Sequence, residues 1–190
     1  VSLRKNLIIS DVVNLGASCY EILKELKKTN FCINSDTILK KSENLIGYFL
    51  HGIKLKSYIF EKYKSKKTKK DISLNIFGRN IPNTKDQIKF NAIEQGTFYA
   101  RDLVSEPGNI LHPDEYARRI KSLKKLGLKI NVYDEKKLNK LGMHTLLGVG
   151  QGSIRGSYLV TMEWNGLKNK SRPLAFVGKG VCFDTGGISL

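Results

Sequence analysis

The chain has 190 residues, enough for one full domain or parts of two, and 41% of them are hydrophobic. That share excludes a disordered chain, so a buried core is expected. With 33 Lys and Arg against 17 Asp and Glu, the formal net charge is +16, which favours acidic partners without dictating a fold.

The opening VSLRKNLIIS has no apolar core of signal-peptide length, and no window approaches the apolar run needed to cross a bilayer. Within it LIIS reads as a short strand. A helix follows in DVVNLGASCYEILKELKKTN, where Val13, Ala17, Tyr20, Leu23 and Leu26 recur at helical spacing. Lys27 and Lys28 close it with the charge that suits a helix C-terminus. FCIN predicts a strand. SENLIGYFLHGIKLKSY predicts a second helix with Leu45, Phe49 and Ile53 on one face. His51 on that helix has no second ligand candidate nearby and reads as a surface or packing histidine.

The run Lys62, Lys64, Lys66, Lys67, Lys69 and Lys70 is the densest charge in the chain. It reads as a solvated loop, since only Tyr63 offers the stacking that a single-strand platform wants. DISLNIFG predicts a strand. Residues 87–104 predict a long helix with Phe90, Ile93, Thr97, Ala100 and Val104 along one side, ending at the breaker cluster Ser105-Glu106-Pro107-Gly108. The domain boundary is placed near this helix.

Pro113 suits the first turn of the next helix, with Asp114 and Glu115 at its positive start. Tyr116, Ile120 and Leu123 form its stripe and Gly127 stops it. KINVYD predicts a strand, EKKLNKLG a short helix, GVGQGSIRG a glycine-rich turn, and SYLVTMEW and PLAFVG two further strands. Alternating helices and strands predict an α/β architecture with a largely buried sheet. Cys19, Cys32 and Cys182 are widely spaced, odd in number and form no C-x-x-C pair, which argues against a disulfide framework and for a reducing, cytoplasmic setting.

Two glycine-rich segments invite a ligand. Gly148-Val149-Gly150-Gln151-Gly152-Ser153 fails the dinucleotide spacing, and Lys179 is followed by Gly180 and not by the Ser or Thr of a phosphate loop. The other is FVGKGVCFDTGGISL, where a strand runs into glycines flanking Lys179, with Asp184 beyond. Ligands of open α/β sheets bind at such carboxyl ends of strands. The plain alternative is an exposed Lys and Asp on an ordinary loop.

The segment GKGVCFDTGGISL resembles the G-K-G-x-x-F-D-[ST]-G-G-I-S-[LI] signature of the leucyl aminopeptidases, also called cytosol aminopeptidases. NAIEQGTFYARDLVSEPGNILHPDEYA is similar to that family's linker helix and catalytic-domain start, and LGMHTLLGVGQGS to a strand region of it. GYFLHGIKLKSYIFEKYKSKK is similar to the end of its N-terminal domain. The resemblance implies a partial N-terminal α/β domain over 1–86, a linker helix over 87–104, and the first part of an α/β catalytic domain with a mixed central sheet over 105–190. It implies an enzyme that releases N-terminal residues from peptides with a free N-terminus, using two divalent metal ions (manganese or zinc, with magnesium allowed), and that assembles as a homo-hexamer.

On that resemblance Lys179 matches a lysine that ligates one metal through its amine, and Asp184 the carboxylate that bridges both. A lysine ligates only when neutral, which adjacent cations promote, and a carboxylate bridges hard cations naturally. The family's remaining ligands, its assisting lysine and its positioning arginine have no counterpart here, so no catalytic residue is assigned and the isolated chain is expected to be an inactive fragment. His112 stands where the family prefers threonine, which predicts a different helix cap, and Cys182 replaces a more usual threonine as a small packed side chain. The alternatives are a basic nucleic-acid-binding protein and a non-catalytic remnant.

Overall fold

The computed structural model describes residues 8–37, 44–67, 71–167 and 172–183. The chain divides into two compact units, Val1–Ser105 and Glu106–Leu190.

The first unit runs α1 (Ile9–Glu25), β1 (Asn30–Asn34), α2 (Leu45–Lys56), β2 (Ser73–Phe77) and α3 (Thr84–Ser105). Of the expected strand LIIS, Leu7 lies outside the described residues; Ile8 caps α1, and Ile9 and Ser10 are already helical. The Asp11 carboxylate reaches back to the Ile8 N–H at 3.4 Å and favours a helix start there. The buried face of α1 is Val12, Gly16 and Tyr20, so Val13 and Ala17 flank the stripe that they were expected to form. Against it α2 buries Ile46, Gly47, Gly52 and Ile53. The two helices meet backbone to backbone: a Cβ on Gly16 would lie 2.0 Å from the Phe49 carbonyl oxygen, and one on Gly52 would lie 2.0 Å from that of Val13. Only glycine allows this approach.

Asn44 caps α2 from a left-handed conformation at φ 43°, its Oδ1 accepting the Gly47 N–H at 3.2 Å. The strands β1 and β2 fall where expected and pair in parallel, from Asn30 opposite Ser73 to Asn34 opposite Phe77. Fully buried Ser35 closes their ends, donating its hydroxyl to the Phe77 carbonyl at 3.0 Å and accepting the Asn80 N–H at 3.2 Å.

Helix α3 begins earlier than expected, at Thr84, because Asn83 Oδ1 accepts the Asp86 N–H at 2.9 Å. Its packing face also differs. Phe90 is buried, but Ile93, Ala100 and Val104 are exposed. Glu94 and Arg101 take their place: Glu94 pairs with His51, and Arg101 Nη1 donates to the Leu55 carbonyl at 2.6 Å. Polar groups occupy this face because each finds a partner on or beside α2, which satisfies the cost of burying them.

The second unit runs α4 (Pro113–Ser122), a 3-10 turn (Leu123–Leu126), β3 (Lys129–Tyr133), α5 (Glu135–Lys140), α6 (His144–Gly150) and β4 (Leu159–Glu163). Its core holds Leu111, Ala117, Ile130 and Leu138. Gly127 ends the 3-10 turn at φ 89°, as a stop signal should. β3 and β4 pair antiparallel, with Lys129 opposite Glu163 and an ion pair of 3.0 Å between them.

Three expectations are corrected here. Residues 144–150 form a helix where a strand region and a glycine turn were expected, and the glycine turn is confined to the residues that follow. A Cβ on Gly150 would meet the Ser157 Oγ at 2.1 Å, a contact that rotation of the serine side chain can relieve. PLAFVG forms no strand: residues 172–180 carry no regular secondary structure, and Leu174, Phe176 and Val177 are 81%, 88% and 99% exposed. A buried strand needs neighbours on its edges and layers on its faces, and neither β3 nor β4 carries this segment. Last, where a mixed central sheet was expected in the catalytic portion, its described residues hold the antiparallel pair β3–β4, and the parallel pair β1–β2 belongs to the first unit. The α/β class stands.

Candidate metal-binding loop and the helix beside it

The site expected from the sequence is the segment from Gly178 onward. Lys179 lies exposed in the irregular run 172–180, and Asp184 lies outside the described residues. The two are therefore neither brought together nor separated. Among the described residues no group of three or more His, Cys, Asp or Glu side chains is placed to hold a metal ion. Among the described residues Lys179 offers one amine donor, and a dinuclear site needs several oxygen or nitrogen donors.

What the structure does place is the ground under the loop. His112 stands at the N-cap of α4, ahead of Pro113 in the first turn. Its Nδ1 faces both the Glu115 N–H, at 3.4 Å, and a closer Asp114 carboxylate oxygen. One nitrogen cannot accept from the first and donate to the second in the same tautomer. The closer contact makes Nδ1 a donor to Asp114. Burial acts to raise the Asp114 carboxyl, but its hydrogen bonds to His112 and to its own backbone N–H outweigh it, with a smaller share from the charge of Arg155, 3.3 Å away, and hold the group below its ordinary value.

Next along α4, Glu115 accepts from both Arg118 and Arg119, at 2.6 and 2.8 Å, and these bonds bring its carboxyl down to about 2. Arg119 also reaches Glu106 at 2.9 Å, a carboxylate whose side chain is only 1% exposed. The same bonds raise Arg119 and keep it charged. Pro107 begins a tight turn whose carbonyl accepts the N–H groups of Ile110 and Leu111, both at 2.9 Å.

Against this turn and helix lies the far end of the loop. A Cβ on Gly108 would stand 3.2 Å from the Cys182 carbonyl oxygen and 3.3 Å from Phe183 Cβ, and one on Gly180 would stand 3.0 Å from the Tyr116 ring. Cys182 is half-buried; burial and then the Asp114 charge push its thiol up, which marks a packed, unreactive cysteine. That agrees with the packing role expected for it. Neither the Glu106–Arg119 pair nor the Tyr116 contact was anticipated, and no local spacing signals them.

In the first unit, His51 is packed, as expected of it, and pairs with Glu94 at 2.8 Å. Beside the pair is a groove of about 430 Å³, which Phe90, Gln87, Asn91 and Asp71 help to line.

Residues 98–190 match the family described as "Cytosol aminopeptidase family, catalytic domain". A "Probable cytosol aminopeptidase" of Chelativorans sp. (strain BNC1) is 48% identical over 145 residues, covering 73% of this chain and 29% of the relative. Its counterpart in Phytoplasma mali (strain AT) is 42% identical over 200 aligned positions, covering all of this chain and 40% of the relative. The chain thus spans well under half the length of these curated relatives. Among solved structures, a tomato leucine aminopeptidase variant aligns with a TM-score of 0.70 at 21% identity, covering 83% of this chain and 34% of that one. The bottromycin maturation enzyme BotP in complex with Mn aligns at 0.69 and 20% identity, covering 84% and 34%. At that identity the likeness speaks for the fold alone. With the signature segment, the catalytic-domain match and the relatives at 42–48% identity together, residues 98–190 belong to the catalytic domain of the cytosol aminopeptidase family.

Proposed function

We propose that this chain contributes the first metal-binding loop of a metal-dependent aminopeptidase that releases N-terminal residues from peptides. The observation that supports this reading is the catalytic-domain match over residues 98–190, which takes in Lys179 and Asp184. On this reading Lys179 supplies an amine donor and Asp184 a bridging carboxylate. A divalent ion, manganese or zinc with magnesium allowed, suits this pair of donors. The Mn in complex with BotP belongs to that protein and is consistent with this choice. We place the linker at residues 87–104, between an N-terminal domain over 1–86 and a catalytic portion from 105, and we assign the protein to the cytoplasm. The hexamer of the family belongs to the same proposal.

The test is calorimetric titration of the 190-residue chain with Mn²⁺. Weak binding that Asp184→Ala abolishes supports the reading, and no Mn²⁺ binding, or binding unchanged by Asp184→Ala, contradicts it. A nucleic-acid role draws less support: Tyr63 packs 5.9 Å from the Phe60 ring with Lys62 over its face. Retention on DNA that falls steeply with salt, without Mn²⁺ binding, would favour that role instead.

A further inference from the structure

We infer that Gly108 and Tyr116 form a seat that fixes the course of residues 180–183, and that both are positioning residues for the loop bearing Lys179. The grip is reciprocal. The Gly108 turn admits the Cys182 carbonyl and the Phe183 Cβ into the space a side chain would take, at 3.2 and 3.3 Å. Gly180 in turn admits the Tyr116 ring of α4 at 3.0 Å. At Gly108 the neighbours are a backbone oxygen and a Cβ, which cannot swing aside as the far end of a flexible side chain does.

The grip also has a defined beginning. Nothing lies within 4 Å of a Cβ on Gly178, and residues 172–181 are exposed. The close contacts begin at Gly180, one residue past Lys179, and run to Cys182 and Phe183, the residue before Asp184 in the sequence, although the Phe183 side chain stays largely exposed. The seat itself is fixed at both ends. Glu106, two places before Gly108, is buried against Arg119 of α4, and Leu111, just after the turn, is in the core. A segment anchored so makes a stable template for a glycine-rich loop, which has little backbone preference of its own. The consequence for metal binding rests on the reading proposed above; the seating does not.

The test uses the full chain with Cys19→Ser and Cys32→Ser, which leaves Cys182 as the sole thiol, and follows its reaction with a disulfide reagent. Gly108→Val and Tyr116→Ala are each expected to speed that reaction about fivefold, the factor that a modest weakening of a local structure produces. Gly142→Ala is the control. It strains the same unit at φ 71°, where nothing lies within 4 Å of the added methyl, and is expected to lower the melting temperature with less than about a twofold effect on Cys182. Equal acceleration in all three variants would mean that Cys182 reports unfolding of the whole unit, and would overturn the seat. If Gly108→Val does not fold, an unchanged rate in Tyr116→Ala overturns it alone. Faster Cys182 reaction in a chain that fails the Mn²⁺ titration would keep the seat and reject the metal reading, and the reverse pattern would reject the seat only.

Discussion

His51 on α2 and Glu94 on α3 meet at 2.8 Å, with both side chains largely shielded and the Phe90 ring 5.0 Å from the imidazole. This pair ties the long helix to the helical pair beneath it. Removing one partner leaves the other shielded and unpaired. Glu94→Ala is therefore expected to lose about 2–3 kcal/mol of stability, read from urea unfolding. Replacing both with leucine should cost much less, because a shielded pair exchanged for apolar groups is often near neutral. A double variant that loses as much as Glu94→Ala would show that the pair is not the source of the effect.

The glycines of the first unit separate into two kinds. Gly16→Ala and Gly52→Ala each force a methyl to within 2.0 Å of a carbonyl oxygen across the α1–α2 contact, and should cost about 1–3 kcal/mol or more. Gly96, inside α3, has nothing within 4 Å of its added methyl. Gly96→Ala should stabilise by about 0.5–1 kcal/mol. Thermal melting of the three variants gives the signs directly.

Acid should weaken the second unit through Glu115. Its carboxyl falls from an ordinary 4.5 to about 2 in the fold, first through Arg118 and then Arg119. A depressed carboxyl contributes stability that is complete above the unfolded value and is lost as pH drops through the folded one. The loss should fall between about pH 4.5 and 2, and Glu115→Gln should flatten the melting temperature across that window. A variant with the same acid profile as the parent would assign the loss to other groups.

Much of this architecture could be read in advance. Helix stops at Gly127, Pro113 in a first turn and the strands FCIN and DISLNIFG follow from local chemistry, and all appear where their residues dictate. What failed depends on partners distant in sequence. The face of α3 was read from apolar spacing, yet Glu94 and Arg101 pack there because His51 and the Leu55 carbonyl wait opposite them. PLAFV has the composition of a buried strand, but a ladder is a property of two strands, and none of the described strands lies beside it. The candidate site was legible only as a signature. The motif named Lys179 and Asp184, whereas the seat at Gly108 and Tyr116 depends on a contact that no local pattern encodes.

The most direct test of the shared metal is paramagnetic. Mn²⁺ added in small amounts to the chain, with lysine and aspartate side chains isotopically labelled, broadens signals close to any bound ion. The expected result is that the Lys179 ε-methylene and the Asp184 carboxyl broaden together and ahead of other residues, and that Asp184→Asn removes both effects. Broadening of one without the other, or of neither before the general surface, would contradict a metal held in common.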